Sequence, residues 1–177
     1  MKFFLLSEAK EYNHRPQIRL PYDLKDEIYI RKGNYNNIGK ISIWKVHESE
    51  MNFYADILME PVLLLKEKVK EVIQLYNQQI QYKQVILLGD KKDTVELYYL
   101  PLLENVKGIS ESGNRFRIIN IPSLLWKPMF ILCTEQNRYV VVNIEVIEAF
   151  LKRRITGIGI QAISIINEEI SVYGDKY

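Results

Sequence analysis

One cysteine, two histidines and no apolar run of membrane-spanning length set the first limits on this chain of 177 residues. A lone Cys133 excludes an intrachain disulfide. It ends the apolar run Met129-Phe130-Ile131-Leu132-Cys133, where a buried, inert thiol is expected. His14 and His47 have no Cys, Asp or Glu at a metal-ligand spacing, so neither a metal nor an organic cofactor is expected. The run Phe3-Phe4-Leu5-Leu6 stops at Ser7-Glu8, short of the roughly 7–15 residues of a secretory core. It reads as a first strand. No other stretch approaches the ~20 residues of a membrane span, so the chain is expected to be cytoplasmic with no membrane partner.

Charge of one sign is also missing. The 24 basic and 22 acidic side chains leave a net charge of +2. A nucleic-acid binder shows a basic face or stripe. Here Lys66-Glu67-Lys68-Val69-Lys70 reads as the solvated side of a helix. Lys152-Arg153-Arg154 reads as charge favoured at a helix C-terminus. No nucleic-acid partner is expected. Nucleophile elbows and phosphate-binding loops are absent. The Gly157-Ile158-Gly159-Ile160-Gln161-Ala162 pattern has a helix before it and strand-like sequence after it, the reverse of a dinucleotide site.

What is present is a set of short alternating runs. These predict an α+β fold of mostly antiparallel sheets with two principal helices. Ile41–Val46, Ala55–Met59, Tyr82–Leu88, Glu96–Leu103, Val106–Ile109, Arg115–Ile119, Met129–Cys133, Arg138–Val142 and Ile158–Ile166 read as strands. Pro101 suggests an edge or a bulge. Val69, Val72, Ile73 and Tyr76 share one helical face, and Ile144, Ile147 and Leu151 form a second stripe, widened by Val146 and Phe150. Asn143 suits the N-cap of that second helix, and Gly157 the left-handed position that ends it. Two strand-helix-strand units echo each other: Leu63 to Lys66 lies 77 residues before Val140 to Asn143, and Val85-Ile86 falls on Ala162-Ile163 at the same offset. Residues 1–55 read as a loop-rich N-terminal lobe, with a short strand at Glu27–Arg31, and residues 56–177 as the main domain.

Candidate binding residues follow from side-chain type. Long loops in compact domains are usually functional or disordered. Residues 7–40 carry Tyr12, Tyr22, Tyr29 and Tyr35, interleaved with Arg15, Arg19 and Arg31. Tyrosine offers wide contact at low entropic cost, and arginine forked hydrogen bonds. Tyr22, Tyr29, Arg31, Tyr35 and Trp126 are therefore the candidate partner-binding residues; the alternative is that the tyrosines only lay the loop on the domain. Trp44 reads as core. No catalytic residue is assigned, although Glu104, Glu111 and Glu135 lie near turns where an acid pair would leave no spacing signature. Two other classes stay open, a hydrolase with a polar pocket and an oligomer-forming structural protein.

The stretch from Trp126-Lys127-Pro128-Met129-Phe130-Ile131, through Arg138–Val142, to Phe150–Ile158 resembles a bacterial family. It is similar to the immunity proteins of polymorphic toxin systems, in the group called immunity-eleven-like. The strand-to-cap step Val142-Asn143, the helix to Arg154 and the closing Thr156-Gly157 carry the resemblance, with Leu63–Tyr76 and Tyr98–Leu102 upstream. It covers roughly residues 56–166 and departs at Asn143, where the family often has serine; either residue caps a helix. It implies a non-enzymatic protein that blocks a protein toxin by stoichiometric binding. Because immunity proteins against nucleases are often acidic, the slight basic balance does not favour a nuclease target.

Overall fold

In the computed structural model the strands sort into two sheets that share one topology. The structure describes residues 2–10, 14–21, 24, 32–48, 52–91, 93–110, 114–118, 124 and 126–167. In chain order the elements are β1 (Phe3–Glu8), β2 (Gln17–Arg19), α1 (Lys32–Asn37), β3 (Ile41–His47), β4 (Ile57–Leu58) and β5 (Leu64–Leu65). Next come α2 (Glu67–Tyr76), β6 (Gln81–Gly89), β7 (Val95–Leu102), β8 (Asn105–Ser110) and β9 (Arg115–Ile118). The last are β10 (Met129–Cys133), β11 (Arg138–Asn143), α3 (Ile144–Lys152) and β12 (Ile158–Asn167). One sheet is open, in the order β2-β3-β6-β7-β5-β4, and the other closes as a barrel, β1-β11-β10-β8-β9-β12. Among the described residues only β3–β6, β8–β10 and β9–β12 pair in parallel. The fold is α+β and mostly antiparallel sheet, as the alternation predicts.

The echo between the two units extends through the whole pairing pattern. Ile57 opposite Leu65 in the sheet has its counterpart in Met129 opposite Val142 in the barrel. Leu65 opposite Tyr99 matches Val142 opposite Phe4. Val85 opposite Tyr98 matches Ile163 opposite Phe3. The parallel pair Trp44 and Leu87 matches the parallel pair Phe116 and Ile165, and Ile18 with Val46 matches Gly108 with Ile118. Two differences remain. The barrel closes because β8 pairs with β10, whereas β2 and β4 lie at opposite edges of the open sheet. The place of β7 is taken in the barrel by β1, from the other end of the chain. The sequence echo needs one correction: after the helix the offset slips by one residue, so Val85 corresponds to Ile163, not Ala162.

The equivalent faces of the two units bury each other. Leu65, Val69 and Ile73 of the first unit pack in one cluster with Val142, Val146 and Phe150 of the second, at matching places on strand and helix. Asn143 caps α3, its side chain accepting from the Val146 N–H at 3.0 Å. The barrel interior is filled by Phe3, Leu5, Phe116, Ile118, Phe130 and Leu132, as a barrel of this small size requires. On the far face of the open sheet, Trp44, Val46, Leu87 and Tyr98 pack under Leu24 and Tyr35.

Several expectations change. Residues 1–55 are not a lobe of their own in the pairing pattern, because β1 belongs to the barrel and β2 and β3 to the open sheet. The left-handed residue directly after the Arg153 C-cap of α3 is Arg154 (φ 51°), and Gly157 lies three residues further on. Gly157 (φ 89°) instead lets the loop pass against the backbone of Ile57, whose carbonyl oxygen a Cβ would strike. β7 is internal in strand order, but the two-residue β5 meets it only at Tyr99, which leaves Pro101 at a local edge. Cys133 is half-buried, not buried. The strand expected at Glu27–Arg31 lies outside the described residues.

The position of β1 gives a test of the duplication. β12 and β1 are antiparallel neighbours, just as β6 and β7 are. A chain opened between β1 and β2, with Tyr177 joined to Met1, therefore makes β1 the direct successor of β12. Loop closure depends weakly on length, so this permutant is expected to keep the fold within about 2 kcal/mol. Near-ultraviolet circular dichroism and urea unfolding check it; an unfolded permutant would mean that β1 does not serve as the last strand of the second unit.

Candidate interaction surface

Three neighbouring strands of the open sheet are apolar on both faces. β3 reads Ile41-Ser42-Ile43-Trp44-Lys45-Val46-His47, and Trp44 and Val46 are buried. The alternate residues point to the other face, where Ile41 is 60% and Ile43 65% exposed. Ile43 lies beside Ile86 of β6, which lies beside Leu97 of β7, so one apolar row crosses three strands. The next row holds Leu88 and Val95 beside Lys45. Val95 is 62% and Leu97 44% exposed. On this same face α2 covers the neighbouring part of the sheet, with the Lys70 ammonium 3.9 Å from the centre of the Tyr99 ring. The apolar rows are thus the uncovered continuation of a buried face. A contiguous exposed apolar patch on a folded domain marks an interaction site or an assembly surface.

The barrel supplies an internal control. At the places that correspond to Ile43, Ile86 and Leu97 it carries Arg115, Ser164 and Lys2, all exposed. The fold therefore does not require aliphatic side chains on this row. Covering each of the open-sheet side chains is worth roughly 1 kcal/mol, half of full burial.

A polar cluster closes one end of the patch. His47 Nδ1 and Asp90 Oδ2 are 2.8 Å apart, and Asp90 Oδ1 accepts from the Glu48 N–H at 3.0 Å. The Glu48 amide, and then His47, hold the Asp90 carboxyl below the usual carboxylate range. A carboxylate only accepts, so this contact favours the tautomer of the half-exposed His47 ring with its proton on Nδ1. Glu48 itself is buried, accepting from the Lys91 N–H at 3.2 Å and the Tyr54 hydroxyl at 3.4 Å. Gly89 leaves the space for its carboxyl, since a Cβ there would land on it. Such a pair orients an imidazole as a base. Among the described residues no hydroxyl or thiol is hydrogen-bonded to His47, and a cavity of about 400 Å³ lies elsewhere, on the barrel beside Lys107, Arg117, Cys133 and Glu135. Glu104 is exposed and paired with Lys127 at 2.6 Å. Among the described residues no group of three His, Cys, Asp or Glu side chains is placed to hold a metal. No helix among them is long and apolar enough to cross a membrane.

The structure separates the candidates from the sequence. Tyr22, Tyr29 and Arg31 lie outside the described residues, as do Tyr12 and Glu111. Tyr35 is described and is not a surface residue: it is 2% exposed, its hydroxyl faces the Leu100 carbonyl at 3.5 Å, and burial pushes its phenol up to about 12. The Lys83 ammonium sits 4.6 Å above its ring and donates to the Tyr35 and Ile38 carbonyls. Here the tyrosine lays its segment onto the sheet. Trp126 is 83% exposed, just before β10 on the barrel side, and remains a candidate. Sequence reasoning missed Ile41, Ile43, Leu88, Val95 and Leu97. The only signal was apolar residues on both faces of β3 and β6, which a strand buried on both sides also shows. No protein-family model matches the chain, and no match is found among curated proteins.

Proposed function

We propose that this chain is a non-enzymatic binding protein that docks another protein on the uncovered face of its open sheet. In keeping with the resemblance of residues 56–166, the partner is a bacterial toxin domain neutralised by stoichiometric binding. The observation that carries the docking reading is the aliphatic row Ile43, Ile86, Leu97, set against Arg115, Ser164 and Lys2 at the same places in the second unit. The test is co-expression with the toxin domain encoded beside this chain, comparing wild type with an Ile43→Ser, Ile86→Ser, Leu97→Ser variant. Its fold should persist, because the barrel tolerates polar side chains there. Binding is expected to weaken about a hundredfold or more, with loss of protection. A folded variant that binds and protects like wild type would remove this face from the interface.

The Asp90-oriented imidazole favours one other reading, a hydrolase using His47 as base. Turnover by the purified protein that is lost in His47→Ala would replace the binding reading.

A further inference from the structure

The border of the apolar rows carries information about the partner. Arg19 of β2 lies directly opposite Lys45 of β3, and both are exposed. Like charges directly opposite in a sheet are destabilising. Among the described residues neither cation has a carboxylate partner, whereas elsewhere in this unit Lys66 pairs with Glu96 at 3.0 Å and Lys70 with Glu67 at 2.7 Å. Arg19, Lys45, Leu88 and Val95 form one row across four strands. Two unneutralised cations therefore continue an aliphatic strip on the same face.

Resting on the docking reading above, we infer that the partner presents an aliphatic patch bordered by carboxylates, and that these pair with Arg19 and Lys45. Charged border groups set association rate and choice of partner more than total affinity. An anionic membrane offers similar chemistry, but it suits this face less well. The carboxylate of Asp90 lies in the next row beside His47, where an anionic surface repels it. The apolar residues here are isoleucine, leucine and valine, not the tryptophan and tyrosine of membrane interfaces.

The experiment measures binding of the toxin domain encoded beside this chain to three proteins at low and high salt, about 50 and 300 mM. They are wild type, Arg19→Glu with Lys45→Glu, and the triple serine variant of the apolar row. Circular dichroism confirms that each is folded. A parallel arm tests co-sedimentation with vesicles of phosphatidylcholine and phosphatidylserine. The inference expects charge reversal to slow association about tenfold or more and to flatten the salt dependence, while the serine variant loses binding at both salts. If the serine variant loses binding but charge reversal changes neither rate nor salt dependence, the docking face stands and its carboxylate-bordered partner is refuted. If neither variant affects binding, or the toxin domain does not bind at all, the docking reading falls and this inference with it. Binding to vesicles in place of the toxin domain likewise overturns both.

Discussion

Asp56→Ala is expected to lower folding stability by about 3 kcal/mol at neutral pH, and to lose part of that effect in acid. Asp56 stands at the entry to β4 in the open sheet, while Thr156 lies in the loop between α3 and β12 of the second unit. The two are clasped. Asp56 Oδ2 accepts from the Thr156 N–H at 2.8 Å and from its hydroxyl at 2.7 Å, and the Asp56 N–H donates to Thr156 Oγ1 at 3.1 Å. Lys68 adds an ion pair at 2.7 Å, but its side chain is 45% exposed and the pair contributes little by itself. The main loss on truncation is the pair of Thr156 donors left without an acceptor in a partly buried place.

Burial pushes the Asp56 carboxyl up, but Lys68 and the two Thr156 donors together outweigh it and hold the group below its ordinary value. A depressed folded pKa contributes stability that is complete above the unfolded value, near 3.9, and is lost as pH falls through the folded one. The gap between wild type and Asp56→Ala should thus be constant from neutral pH to about 5, then narrow below about 4. Urea unfolding of both proteins across that range measures it. A gap that persists unchanged in acid would show that Asp56 acts by packing and not as a carboxylate. Asp56→Asn keeps one acceptor oxygen and should lose about half as much at neutral pH.

The clasp also shows what the sequence could and could not reveal. Local signals were legible. Asn143 caps α3 as its position predicts, because the cap needs only one side chain and the next turn of backbone. The apolar stripes are borne out in part: Val69, Val72 and Ile73 of α2 and Val146, Ile147 and Phe150 of α3 point inward, whereas Tyr76 and Leu151 are exposed. The Thr156-Gly157 pair looked like a helix stop, yet both residues serve a contact with a segment about 100 residues away. Nothing near position 156 reports that contact.

The duplicate topology was half legible for a similar reason. Strand-helix-strand units repeat locally, so an offset in sequence reveals them. The partner of the last strand does not repeat locally: β7 follows β6 directly, while β1 reaches β12 from the start of the chain. The candidate surface was harder still. Apolar residues at Ile41 and Ile43 are written the same way whether a helix covers them or nothing does. In this chain α2 covers only part of that face, and where the covering ends is a property of tertiary packing.

The shared core predicts how the two units unfold. Phe130 is fully buried in the barrel, with its ring 5.8 Å from that of Phe3 and nearly perpendicular to it. Phe130→Ala should cost about 3–5 kcal/mol, because a ring of strands cannot collapse around the space it leaves. For a chain of this size that corresponds to a fall in Tm of roughly 10 °C. The loss should not stay in the barrel. Val142, Val146 and Phe150 of the second unit pack in the same cluster as Leu65, Val69 and Ile73 of the first, so neither unit can open without stripping a face of the other. Trp44 makes this measurable. It is 2% exposed in the open sheet, whereas Trp126 is 83% exposed, so the change in tryptophan fluorescence on unfolding reports mainly the sheet. In Phe130→Ala the fluorescence midpoint is expected to fall together with the far-ultraviolet midpoint. A fluorescence midpoint that stays at the wild-type temperature while part of the circular dichroism melts early would mean that the barrel unfolds alone, and that the common cluster does not couple the two units.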